Sequence, residues 1–186
     1  YVDELASGGS ADKLYISGKG AGAPGTSDLK FSEEELEVVQ STRGVLEATG
    51  YHMEVVELEQ DGVKRYAFVS AAEPDEMTLL MESFNRESEI VRPVDDGDVN
   101  KVALGYNYQL DDKIFPRGLK LGDKISINDE RYRIIGFYGS VGNPGDDSNV
   151  YMTEDGFAKI FGEEDYSIIF GRAELDQMDT VVDRVK

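Results

Sequence analysis

His52 is the sole histidine in a chain of 186 residues that contains no cysteine. Ser-His-Asp chemistry would have to run through that one imidazole, and no nucleophile elbow accompanies it. Gly139-Ser140-Val141-Gly142 comes near the pattern, but Tyr138 holds the place of the first glycine. One imidazole and no thiolate cannot build a zinc site. A lone histidine between Tyr51 and Met53 on a strand therefore reads as structural or surface. The glycine-rich run from Gly18 to Gly25 fails as a phosphate loop: Lys13 and Gly20 stand where a Walker loop needs its glycine and its hydroxyl. Ala23 likewise replaces the third glycine of a dinucleotide fingerprint, so the run reads as a surface loop. For calcium, Asp96-x-Asp98-x-Asn100 begins like an EF-hand loop. Lys101 then occupies the obligatory glycine position and Asn107 the place of the bidentate glutamate. Asp146-Asp147-Ser148-Asn149 is a looser oxygen cluster, and both stretches read first as turns. Carboxylates are too abundant to single out a glycosidase-like pair. The sequence assigns no catalytic, cofactor-binding or metal residue.

Composition narrows the classes further. The net charge of −19 disfavours nucleic acid and anionic membrane surfaces, because the phosphate-neutralising term is repulsive. It suits a solvated acidic surface, as in a salt-adapted or archaeal protein, or attraction to basic partners and divalent cations. No apolar run approaches the roughly twenty residues that span a bilayer. The chain opens on Tyr1-Val2-Asp3-Glu4 with no leader pattern, and Val181 to Lys186 stops in a helical pattern without a closing glycine or proline. Both ends read as cut, as in a domain excised from between two transmembrane helices.

The elements that would position any site follow from patterning. Leu14 to Ser17 is a short strand. Phe31-Ser32-Glu33-Glu34-Glu35-Leu36 opens a helix with a capping box between Ser32 and Glu35, a Phe31–Leu36 staple, and a stop at Gly44. Strands Val45–Glu59 and Val63–Ser70 flank the Asp61-Gly62 turn. A second helix runs from Pro74 through Met77, Leu80 and Met81 to Phe84, followed by a short strand, Ser88–Val91. Pro93 and Asp95 to Asp98 mark a boundary. The alternation of Ile125 and Ile127, then of Tyr132 and Ile134, about Asn128-Asp129-Glu130 predicts a hairpin with one wet face. Val150–Met152 is a strand running into a helix capped by Thr153, stapled by Met152 and Phe157, and stopped at Gly162. Tyr166–Phe170 is a strand, and Asp176 is expected to cap a last helix through Val185.

The order of motifs in the central section carries a resemblance. Lys101-Val102-Ala103-Leu104-Gly105, a short helical stretch, Leu121-Gly122-Asp123-Lys124-Ile125 and Tyr132-Arg133-Ile134-Ile135-Gly136 together resemble the periplasmic core domain of MacB/FtsX-like ABC transporter permeases. Where that family shows Gly-Arg before its second lobe, Val91-Arg92-Pro93 stands here. The resemblance implies an α+β fold: a discontinuous porter-like lobe of sheet and helices, 1–93 plus 150–186, interrupted by an inserted, mostly β lobe, 94–149. It also implies a non-catalytic extracytoplasmic domain that couples transmembrane-helix motion to export or release of a lipoprotein, peptide or small molecule. ATP would be hydrolysed on separate cytosolic nucleotide-binding subunits. The implied partners are those subunits, a second permease copy, and an adaptor or lipoprotein. The alternative from composition is a free-standing secreted or cell-surface acidic binding module, with calcium as its ion. A carboxylate hydrolase is disfavoured, since nothing beyond abundance supports it.

Overall fold

The computed structural model describes residues 2–3, 12–18, 29–73, 94–95 and 97–185. The expected helix from Pro74 to Phe84, the strand Ser88–Val91, the Arg92-Pro93 boundary, Asp96 and most of the glycine-rich run lie outside the described residues. The strands are β1 (Val2–Asp3), β2 (Lys13–Ile16), β3 (Val45–Gln60), β4 (Val63–Ala71), β5 (Lys101–Leu104), β6 (Lys124–Ile127), β7 (Glu130–Phe137), β8 (Val150–Met152) and β9 (Ile168–Ala173). The helices are α1 (Glu33–Ser41), α2 (Glu154–Phe161) and α3 (Met178–Val185). No helix among the described residues is long and apolar enough to cross a membrane.

The strands join in the order β1-β2-β9-β3-β4-β8-β5-β7-β6, and β6 returns to pair with β3. The segment β3-β4-β8-β5-β7-β6 therefore closes into a small six-stranded barrel. At the seam Leu58 pairs with Ile127 and Glu59 with Ser126. Asn128 extends the ladder: its main-chain N–H donates to the Glu57 carbonyl at 2.9 Å, and its side-chain Oδ1 accepts from the Glu57 N–H at 2.9 Å. Asn128 and Asp129 have φ of 44° and 69°, the two positive values that a twisted two-residue hairpin turn requires. The turn is thus two residues long, and Glu130 already pairs with Ile127.

Alternation fills the barrel. Val56 and Leu58, Val69 and Ala71, Val102 and Leu104, Ile125 and Ile127, Tyr132 and Ile134, and Val150 and Met152 form one buried cluster. Tyr108, Phe115 and Leu119 close the end where β5 finishes, and Phe157 of α2 plugs the other. Gly105, which follows β5, cannot carry a side chain: a Cβ would stand 2.4 Å from the Asp147 carbonyl oxygen.

Strands β1, β2 and β9 continue from the first half of β3 as an open antiparallel sheet. One face packs Leu14, Ile16, Ala48, Ile169 and Ala173 against Leu36 and Val39 of α1 and Met178 and Val181 of α3. The opposite face places Tyr51, Ile168 and Phe170 against Tyr138, Tyr151 and Ala103, on the outside of the barrel. This double burial is why Ile168-Ile169-Phe170 and Val150-Tyr151-Met152 are apolar throughout. β3, at 16 residues, belongs to both sheets.

The capping box of α1 forms as its sequence predicts, with Ser32 Oγ accepting from the Glu35 N–H and Glu35 reaching back to the Ser32 N–H at 2.8 Å. Thr153 caps α2 through the Gly156 N–H. Two local expectations shift. Tyr166 precedes the last strand and makes an isolated bridge with Phe31. Asp176 does not cap α3: it lies inside a 3₁₀ turn, Leu175–Gln177, whose leading residue Glu174 makes no side-chain capping bond, and the helix begins at Met178.

Candidate functional site

Even-numbered residues of β3 share one face. Ala48 lies in the helix-side core, and Val56 and Leu58 in the barrel. Between them, where the strand passes from sheet to barrel, stand Gly50 and His52. Tyr166 lies directly on Gly50, so that a Cβ there would stand 2.3 Å from its ring. That ring is held by paired 2.8 Å main-chain bonds with Phe31, and its hydroxyl donates to Glu33 Oε2 at 2.8 Å. On the far side, the Thr153 cap and the packing of Met152 and Phe157 in the barrel core fix the first turn of α2. His52 is sandwiched between these two supports. Its ring stacks on Phe157 at 4.9 Å with 24° between planes, and lies 4.9 Å from the Tyr166 ring.

A cavity of about 420 Å³ opens over this histidine. Glu33, Glu73, Glu154, Asp155 and the run Glu163-Glu164-Asp165 line it, and among the described residues no lysine or arginine does. His52 is only 7% exposed, and its Nδ1 has no hydrogen-bond partner. Its Nε2 is 3.6 Å from Glu154 Oε1, an electrostatic approach longer than a hydrogen bond. Burial lowers the imidazole pKa below its usual 6.5, opposed by the main-chain carbonyl of Asp165. The ring is neutral at neutral pH, and an unpaired buried nitrogen of this kind costs about 1–3 kcal/mol. The arrangement sets a buried neutral imidazole and two aromatic faces beneath a surround of carboxylates, a setting that favours positive charge over negative.

Nearby, Lys30 pairs with Glu54 and donates to Ser167 Oγ at 3.0 Å. The Ser167 hydroxyl also bridges the N–H and carbonyl of Met53, at 3.0 Å each, where β9 has left the ladder.

The other residues singled out in the sequence serve the fold. Asp98 is buried, accepting from the Asp95 N–H at 3.1 Å and pairing with Lys101 at 2.5 Å. Asp147 accepts from Ser140 Oγ at 2.6 Å and from the Val141 N–H at 2.8 Å, stapling the loop before β8. Ser140 is not among the residues around His52. Among the described residues no three metal-ligating side chains converge.

The family model described as the MacB-like periplasmic core domain matches residues 1–186. The chain belongs to that family. This core domain is also 26% identical over 134 residues to an uncharacterised ABC transporter permease of Methanocaldococcus jannaschii, covering 72% of the chain and 33% of that protein. It thus spans about a third of the curated relative. Among solved structures it resembles the periplasmic region of MacB from Actinobacillus actinomycetemcomitans, with TM-score 0.66 and 16% identity over 92% of this chain and 78% of that one. It also resembles the extracellular domain of the ABC-type transporter YknZ from Gram-positive bacteria, with TM-score 0.63 and 15% identity over 91% and 86%. At such identities the likeness is one of fold: mixed sheet and helix, as the core-domain resemblance in the sequence implied.

Proposed function

We propose that this core domain is the extracytoplasmic part of an ABC transporter permease, and that it transmits motion of membrane helices to an exported substrate or its carrier. The match of the family model across the whole chain carries the reading. In this role the domain performs no chemistry. ATP is hydrolysed on cytosolic nucleotide-binding subunits, and a second permease copy completes the pair. The cargo is a lipoprotein, peptide or small molecule, taken directly or through an adaptor.

The topology supports a mechanical role. β3 is hydrogen-bonded to β9 along its first half and to β4 along its second. At about 3.3 Å per residue, such a strand is a stiff member roughly 50 Å long shared by sheet and barrel. A displacement of the open sheet is then carried to the barrel rather than absorbed in a loop. In this reading 1–93 with 150–186 is one lobe and 94–149 the inserted one; the barrel itself draws β3, β4 and β8 from the former segments and β5, β6 and β7 from the latter.

The test is a distance measurement in the complete permease in lipid nanodiscs. Tyr66, 73% exposed on β4, is replaced by a spin-labelled cysteine, and the distance between the two copies is measured with and without ATP. A nucleotide-dependent shift is expected. An unchanged distribution would contradict the mechanical role.

A further inference from the structure

We propose that the outer face of strands β5, β7 and β6 is a docking surface for a short acidic segment of a partner polypeptide, held through Lys124, Arg131 and Arg133. Charge is spread unevenly along the chain. Acidic residues outnumber basic ones 38 to 19. Yet residues 97–137 hold seven lysines and arginines against six aspartates and glutamates. Within that stretch the ladder register sets cations side by side. Lys124 lies directly opposite Arg133, Arg133 opposite Lys101, and Arg131 opposite Ser126. Their strand neighbours Ile125, Tyr132 and Ile134 fill the barrel. Alternation therefore turns Lys124, Arg131 and Arg133 outward, and all three are exposed.

The fold itself gives these cations nothing to hold. Lys101 is neutralised by Asp98, but the side chains of Lys124, Arg131 and Arg133 make no ion pair or hydrogen bond among the described residues. Like charges directly opposite each other destabilise a sheet, so Lys124 facing Arg133 works against the ladder. Carboxylates supplied from outside reverse that sign. Since β7 is hydrogen-bonded on both edges, its face offers side-chain cations and no free main chain. Arg131 and Arg133 stand two residues apart, about 6.6 Å along the strand, and the step across to Lys124 is about 4.8 Å. Carboxylates on alternate residues of an extended peptide recur at that same spacing, so one strand-like segment laid along β7 meets both arginines. Glu59 of β3, beside Ser126, and Asp129-Glu130 of the turn bound the patch. A membrane plane or a nucleic acid extends past those carboxylates, over more than a screening length of about 8 Å, and meets a chain of net charge −19. A short acidic segment covers the cations alone. This docking does not rest on the transport role proposed above.

The protein is titrated into fluorescein-labelled peptides at low salt, and binding is followed by anisotropy. One peptide alternates glutamate with threonine, and its isomer of the same composition gathers the glutamates in one block. The expected result is saturable binding of the alternating peptide, weakening as salt rises, with weaker binding of the block isomer. Lys124→Gln/Arg133→Gln removes two cations from the face, and Arg43→Gln/Arg184→Gln removes two exposed ones, after α1 and in α3. The face pair should weaken binding about fivefold or more, and the distant pair less than about twofold. Lys124→Glu separates binding from folding. It should abolish binding while raising the melting temperature, because it places opposite charges across the ladder. A lower melting temperature in Lys124→Glu would make the lysine a prop of the fold and overturn the proposal. Equal losses in the two pairs would also overturn it, leaving only general charge attraction. So would binding of phosphatidylglycerol vesicles without binding of peptide, which would assign the face to a lipid surface.

Discussion

At the scale of single residues, His52 couples folding to pH. Its folded pKa lies below the unfolded value near 6.5, so the unfolded chain takes up its proton first as pH falls. Stability is therefore fully present above the unfolded pKa and declines on acidification towards the folded pKa. Urea midpoints measured between pH 7.5 and 5.5 should fall in the parent protein. They should fall less steeply in His52→Gln, and an equal slope would count against a buried neutral ring. Gly50 sits beneath Tyr166 with no space for a methyl group. Gly50→Ala should cost about 1–3 kcal/mol by overpacking, read by chemical denaturation, and should shift the His52 resonances as Tyr166 moves. Neither fact was legible in the sequence. A lone histidine on a strand reads as structural or surface, and the residues that bury it, Phe157 and Tyr166, lie more than a hundred positions away.

At the scale of elements, Asn128 clasps the barrel. It holds one end of the β6–β7 turn and bonds both main-chain groups of Glu57. Asn128→Gly keeps the positive φ that the turn requires but removes the side-chain acceptor, so a loss of about 0.5–1.5 kcal/mol is expected. Amide exchange should quicken at Glu57 more than at Val55, on the same strand but away from the clasp. Unchanged protection at Glu57 would contradict the clasp. Much of this level was legible. The hairpin pattern of Ile125, Ile127, Tyr132 and Ile134, the Asp61-Gly62 turn, and the caps at Ser32 and Thr153 are local signals, and each formed where the sequence placed it. The closure of the barrel was not legible. Leu58 meets Ile127 from 69 positions away, and a period-two pattern says which face of a strand is buried, not which strand lies beside it. Asp176 failed as a cap because the 3₁₀ turn begins one residue earlier and carries it inside.

At the scale of the whole molecule, the barrel core should hold sheet and barrel together as one cooperative unit, since β3 belongs to both. Leu58 is fully buried at the seam, and Leu58→Ala should cost about 2–5 kcal/mol. Calorimetry should then show one transition moved downward. Separate transitions for barrel and open sheet would contradict a rigid connection through β3. The family was readable from the order of short motifs in the central section, where Gly105 has a physical reason in the close approach of Asp147. The acidic cavity was not, because its lining comes from five separated parts of the chain.

The central claim is that this domain works outside the cytoplasm as part of a membrane transporter. The chain contains no cysteine, which makes the measurement clean. Tyr66→Cys is placed in the complete protein, with any cysteines elsewhere in it replaced, and intact cells are treated with a membrane-impermeant maleimide. The account predicts labelling in intact cells at the level reached after permeabilisation. Labelling only after permeabilisation would put the domain on the cytosolic side and contradict it.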